Sequence, residues 1–207
     1  MPTELARRAE LHNGDRMSLQ EFFSVWERIP DLKRAELIDG VVHLPSPVYP
    51  PHGFYEVMLS RWLDTFAEMR GGVYVASNIS HKLLGNSPQP DLALRSGDFP
   101  ELDLPQSPPL LLVEVTHTSR SIDLGPKLDL YRRAKVPEYI CLLVYEERVE
   151  WRVLEGESYR LLAAGPQGIL RSPSQPGLWL DTSALFPPDR KRLLATLQQG
   201  IASTLPR

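Results

Sequence analysis

A single cysteine, Cys141, is all the thiol chemistry in 207 residues. It cannot form a disulfide within the chain or supply a cysteine-based zinc site, so a stapled secreted scaffold is excluded. Lysine is scarce as well, with five residues (Lys33, Lys82, Lys127, Lys135 and Lys191) against 18 arginines. A lysine set among apolar elements is therefore not explained by surface habit. The longest uninterrupted apolar run, residues 139–145, falls far short of the roughly 18 residues of a membrane span. Arg7, Arg8 and nearby acids interrupt the N-terminus where a signal peptide needs its apolar stretch. A cytoplasmic chain with no membrane partner is expected. Neither the glycine-rich dinucleotide fingerprint nor the P-loop pattern occurs, and there is no fixed-period repeat.

What is present is an ordinary globular composition, 42% hydrophobic and 24% charged, long enough to bury a core unaided. The net charge of −3 argues against bulk electrostatic coating of nucleic acid but leaves room for a local basic cleft. One decorated domain is expected: an N-terminal extension over residues 1–17, a domain over 18–186, and a C-terminal helix and tail over 187–207. The 20 prolines cluster at 45–51, 88–90 and 100–109 and mark connections between elements.

Ser18 followed by Glu21 has capping-box spacing, and Leu19, Phe22, Phe23 and Trp26 continue it as an apolar stripe, predicting a helix over 19–28. Asp39-Gly40 between Glu36-Leu37-Ile38 and Val41-Val42 predicts a β-hairpin, because both turn residues must accept positive φ. Phe54, Val57, Met58, Trp62, Phe66 and Met69 recur at helical spacing, and Gly71-Gly72 ends the pattern, so a long helix is expected over 52–69. Strands are expected at 73–77, 81–84, 90–95, 139–145, 149–154 and 159–163, with a hairpin through Glu146-Glu147. The run 110–116, apolar except for Glu114, reads as a strand covered on both faces and central in its sheet. Helices are expected over 123–134 and 190–199. The class is α/β (α+β): a mixed central sheet flanked by helices, with an N-terminal helix and β-hairpin.

Three features carry chemistry: Asp91 at the head of a strand, Glu114 inside the most apolar strand, and Lys127 on the following helix. A buried carboxylate needs a partner or takes up a proton. If Asp91 and Glu114 lie on neighbouring strands, a hard divalent cation with oxygen ligands, Mg²⁺ by default, resolves their repulsion. Plainer readings stand beside this one. Glu114 would pair with an arginine or face water, Asp91 would open a turn, and Lys127 would be a surface partner of Asp123, four residues away on the same helix face. Five basic residues between 120 and 135 face only Asp123 and Asp129 within that stretch. A positive helix beside an acidic pocket suits a phosphodiester, making Arg120, Arg132, Arg133 and Lys135 candidate nucleic-acid contacts.

The run Val113-Glu114-Val115, Asp123, Lys127, Tyr131 and Val136-Pro137-Glu138-Tyr139, preceded by Gln89-Pro90-Asp91 and Glu36-Leu37-Ile38-Asp39-Gly40, resembles the Uma-two family of restriction-endonuclease-type proteins. That family looks like a branch of the PD-(D/E)xK nuclease superfamily, and the likeness spans about residues 18–185. The resemblance implies a restriction-endonuclease-like core and a metal-dependent endonuclease that hydrolyses DNA with activated water. Asp91 and Glu114 would hold Mg²⁺ or Mn²⁺, with a backbone carbonyl next to Glu114 as a possible further ligand. Thr116 stands at the motif's lysine position, and Lys127 would be the migrated lysine. His52 matches a position where the family often carries histidine; Gln89 and Tyr131 are further candidates, although Tyr131 also continues the apolar side of its helix.

His117-Thr118 replaces the family's usual Ser-Pro, and His117 reads either as a phosphate contact or local base, or as a loop histidine bonded to backbone. Cleavage of both strands at a palindrome would call for a homodimer. The alternative function is a catalytically silent nuclease fold that binds nucleic acid or a protein. In a third reading Glu114 and Lys127 form a purely structural buried pair.

Overall fold

Ser18 opens the first helix through the reciprocal cap its spacing predicts. Its Oγ accepts from the Glu21 backbone N–H at 3.3 Å, and Glu21 Oε2 accepts from the Ser18 N–H at 2.9 Å. This helix, α1 (Leu19–Trp26), buries Phe22 and Val25. The structure, a computed structural model, describes residues 10–100 and 102–204; residues 1–9 of the expected N-terminal extension lie outside the described residues. Strands β1 (Glu36–Ile38) and β2 (Val41–His43) form the predicted hairpin, with Asp39 at φ 49° and Gly40 at φ 73° in its turn.

Helix α2 (Pro50–Arg70) starts on two prolines, whose missing N–H groups would have no intrahelical partner there, and ends at Gly71, φ 71°. Its buried face is Tyr55, Met58, Leu59, Trp62, Leu63, Phe66 and Ala67. The stripe expected from sequence therefore started one residue too early: Phe54, Val57 and Met69 are exposed. Two apolar rows at helical spacing coexist on this helix, and only packing against the sheet selects between them.

Six strands form the central sheet in the order β3 (Val73–Ser77), β4 (Leu92–Ser96), β5 (Leu111–Thr116), β6 (Glu138–Leu143), β7 (Arg148–Glu155) and β8 (Ser158–Leu161). β5 and β6 pair in parallel, and every other neighbour is antiparallel. All twelve residues of β5 and β6 are buried, with Glu114, Thr116 and Glu138 the polar ones among them. The turn with Glu147 at φ 48° joins β6 to β7, the predicted hairpin.

Residues 81–84 do not form the expected strand. Leu84 takes positive φ, and the Asn86 side chain donates to the Leu83 and Leu84 carbonyls, closing a turn instead. Nor is 123–134 one helix. A short α3 (Arg120–Asp123) and α4 (Pro126–Arg133) meet at Gly125, where any Cβ would lie 2.5 Å from the Ser121 carbonyl oxygen.

The two faces of the sheet are covered differently. One packs Leu92, Leu94, Val113, Ile140 and Trp151 against α2 and the final helix α5 (Arg190–Ala202), which adds Leu193, Leu197 and Ile201 to that core. A small pair unforeseen from sequence, β9 (Ile169–Arg171) with β10 (Trp179–Asp181), joins the same side through Leu170 and Leu180. The other face packs Ala93, Leu112, Tyr139 and Cys141 under α4 and the β1–β2 hairpin. By the two-residue period of a strand, Glu114 points to this second face with Leu112.

Candidate active site

The antiparallel ladder between β4 and β5 ends at Leu92↔Val113. Asp91, one residue before β4, takes over there: its Oδ2 accepts the Val115 N–H at 2.7 Å. The sheet end thus fixes a carboxylate, 7% exposed, beside Glu114, which is 4% exposed. Lys127, on the first turn of α4, reaches down to the same place. Its Nζ lies 2.6 Å from Glu114 Oε1, 3.0 Å from Glu36 Oε1 and 3.8 Å from Asp123 Oδ1, with the side chain 3% exposed. The Tyr131 hydroxyl donates to Glu114 Oε1 at 3.1 Å. Asp91, Glu114 and Lys127 therefore line one pocket, together with His52, Gln89, Glu36 and Asp123.

Charge in the pocket is strongly coupled. Burial pushes Glu114 well above the usual carboxylate range, with Lys127 opposing the shift and Asp123 and Asp91 adding to it. Burial likewise raises Asp123, whose Oδ2 accepts from Thr116 Oγ1 at 3.1 Å and Ser119 Oγ at 2.5 Å. Burial alone would strip the proton from Lys127, but Glu114, Glu36, Tyr131 and Asp123 together hold it well above an ordinary lysine. Three carboxyl groups surround this one amine. A surface role for Lys127 is thereby overturned: α4 packs on the sheet, so the helix face shared by Lys127 and Tyr131 is the covered one.

His52 approaches from α2. Its buried Nε2 lies 3.4 Å from Asp91 Oδ1 and 3.5 Å from Glu56 Oε2, without a well-formed hydrogen bond to either. Asp91 first and Glu56 second raise its pKa to about 10. Glu56 is held by Asn78 Nδ2 at 2.6 Å, while Gln89 Nε2 donates to the Asn78 carbonyl at 2.5 Å and the Gln89 N–H to Glu36 Oε1 at 2.6 Å. One donor atom each from His52, Glu56 and Asp91 lies within 4.8 Å of the other two, close enough to hold one metal ion. Glu114 faces the same pocket from the Lys127 side. An imidazole nitrogen between two carboxylates, its proton displaced on binding, is a donor set that fits a divalent cation.

Glu36, Glu56 and Asn78 were not among the candidates read from sequence. Glu36 sits in the predicted hairpin, and β1 delivers it to Lys127. Glu56 carried a legible signal, standing four residues after His52 on one helix face. Arg120, Arg132, Arg133 and Lys135 are not brought to the pocket. They pair instead with Glu146 (2.8 Å), Asp129 (2.7 Å), Asp39 (2.5 Å) and Glu157 (2.5 Å), respectively. Three of those acids lie outside residues 120–135, so the local excess of positive charge is cancelled by the tertiary fold. Among the described residues, no helix is long and apolar enough to cross a membrane.

The Uma2 family, described as "Putative restriction endonuclease", matches residues 19–183. Among solved structures, the chain is similar to a crystal structure described as a putative nuclease belonging to DUF820 from Anabaena variabilis. The TM-score is 0.64 at 12% identity, covering 87% of this chain and 99% of that one, a likeness of fold. No curated protein matches the chain. With the family match running from α1 through β10, the chain belongs to the Uma2 family, and it shares its fold with that DUF820 structure.

Proposed function

We propose that this protein is a metal-dependent endonuclease that hydrolyses DNA phosphodiester bonds with water as nucleophile. The observation that carries the reading is the convergence of Asp91, Glu114 and Lys127, from a strand head, a central strand and a helix, on one pocket. Asp91, Glu56 and His52 would hold the cation, Mg²⁺ or Mn²⁺, with Glu114, whose Oε2 lies 3.4 Å from the Asp91 backbone N–H, as the neighbouring acid. Held by these residues, such an ion would supply Lewis-acid polarisation of a phosphoryl oxygen and a bound water of lowered pKa. The chain's own residues do the rest. Lys127, kept charged by its carboxylates, offers a fixed positive charge for that developing on the phosphoryl oxygens. Tyr131 and Glu36 hold the Glu114–Lys127 pair in register, and Asp91 is locked by the Val115 N–H, so little reorganisation accompanies reaction.

Nicking of supercoiled plasmid in Mg²⁺ or Mn²⁺ tests this. Activity is expected in the parent and absent from Asp91→Ala, Glu114→Gln and Lys127→Met. Near-parental nicking by Asp91→Ala would overturn the assignment. A catalytically silent module is favoured by one observation, that Thr116, at the motif's lysine position, is spent on Asp123. That reading predicts DNA binding unchanged by chelator and no nicking by the parent.

A further inference from the structure

Three rings are in mutual contact through His117, and two of them, Tyr49 and His117, line this pocket. His117 stacks on Tyr145 with centroids 4.3 Å apart and planes 27° from parallel, and Tyr49 lies 5.4 Å from the His117 centroid on a 36° tilt. The two tyrosines are 51% and 71% exposed, and Val48 beside them is 57% exposed. His117 Nδ1 is buried and has no hydrogen-bond partner, so the histidine is not a loop residue tied to backbone through that atom. Solvated aromatic faces beside reacting groups mark a surface that meets an apolar partner.

We infer that the Tyr49–His117–Tyr145 stack is a platform for an unpaired nucleobase, making single-stranded DNA the substrate class. This rests on the nuclease reading and gives it a substrate. Tyr49 is three residues before His52 at the start of α2, and His117 is three residues after Glu114 at the end of β5. Tyr49 and His117 are therefore anchored to the elements that carry the pocket's acids and imidazole, and Tyr145 meets them from the β6–β7 turn. A base stacked on them brings its own phosphate to those groups.

Charge points the same way. Arg34 and Lys127 are the lysine and arginine residues that line the pocket, while Arg120, Arg132, Arg133 and Lys135 are each tied to a carboxylate. Duplex binding rests chiefly on cations along two phosphate backbones, whereas single strands add to a charged groove the base faces that a duplex hides in its own stack, and exposed rings can take those faces. A single-strand substrate also removes the need for a two-fold partner to cut a second strand.

The test uses the full chain in EDTA with a fluorescein-labelled oligonucleotide carrying 2-aminopurine, and a blunt hairpin duplex for comparison. Single-strand affinity should exceed duplex affinity by about tenfold or more. Tyr49→Ala and Tyr145→Ala should each weaken single-strand binding by roughly 5- to 150-fold, the range of one lost base–ring stack, with duplex binding unmoved. Tyr49→Trp should retain affinity, and the change in 2-aminopurine emission on binding should vanish in the alanine variants. Equal affinity for the two DNAs, or alanine variants that bind single strands as the parent does, would overturn the inference. Tyrosine-dependent single-strand binding without cleavage of any DNA sinks the nuclease reading and keeps this one. Asp91-dependent cleavage of blunt duplex as fast as single strands does the reverse.

Discussion

Replacing Lys127 by methionine, which keeps the stem and deletes the charge, leaves Glu114, Glu36 and Asp123 around a space with no ammonium. At an effective dielectric of about 20, an ion pair near 3 Å is worth roughly 5 kcal/mol before desolvation is subtracted. Desolvation takes back most of that in the intact pair, but removing one partner leaves the other buried and uncompensated, at about 3 to 5 kcal/mol. In a domain of this size the loss lowers Tm by about 6 to 20 °C. Urea unfolding followed by the fluorescence of the buried Trp62 and Trp151 measures it in EDTA.

The sign of the pH dependence is fixed too. Glu114 and Asp123 already have folded-state pKa values raised by burial, and losing Lys127 raises them further. Stability linked to a raised acid is present below the unfolded pKa and is lost as pH rises through the folded value. The Lys127→Met penalty should therefore be largest near pH 7.5 and shrink on acidification toward about pH 5. Adding Glu114→Gln should recover about 0.5 to 3 kcal/mol, the usual coupling of contacting residues. A Lys127→Met variant within about 0.5 kcal/mol of the parent at neutral pH, or a penalty flat in pH, would refute the buried cluster.

His81 supplies an opposite slope. Fully buried, with Nδ1 against the Ile79 carbonyl and Nε2 without a partner, it has its pKa depressed to about 4 by burial and then by Arg95. The unfolded chain protonates first, so stability should fall by about 2 kcal/mol between pH 7.5 and 5, and His81→Leu should flatten that slope in chemical denaturation. Gly125→Ala drives a Cβ into the Ser121 carbonyl and shifts α4, so nicking and Tm should drop together; a loss of neither would show that the α3–α4 junction is slack. Gly200→Ala places a Cβ 2.5 Å from the Gly177 carbonyl oxygen and 2.6 Å from the Trp179 ring. Overpacking of about 1 to 3 kcal/mol should exceed the gain in helix propensity and lower Tm without touching DNA binding.

Much of the chain was legible because its signals are local. Ser18 with Glu21, Asp39-Gly40 and Gly71 each dictate backbone geometry within a few residues, and the elements they bound stand where they predict. The apolar continuity of β5 announced a strand buried on both faces, and with it the oddity of Glu114. Misreadings arose where two local patterns competed. On α2 two apolar rows were available, and the helix expected over 123–134 breaks at Gly125, whose Cβ position is taken by a backbone oxygen from the preceding turn.

By itself, then, the sequence determined the hairpin, the caps, the buried strands and the presence of three charged residues in apolar company. Only the tertiary structure decided which groups meet. Glu36 arrives from a hairpin at the Lys127 ammonium, and His52 and Glu56 arrive from α2 beside Asp91. Asp39, Glu146 and Glu157 arrive to neutralise cations that look free in the linear chain. The reason is physical: periodicity and turn chemistry act over a few residues of backbone, whereas electrostatics acts through space. Distances between charges are set by sheet register and helix packing, which no short stretch of chain contains.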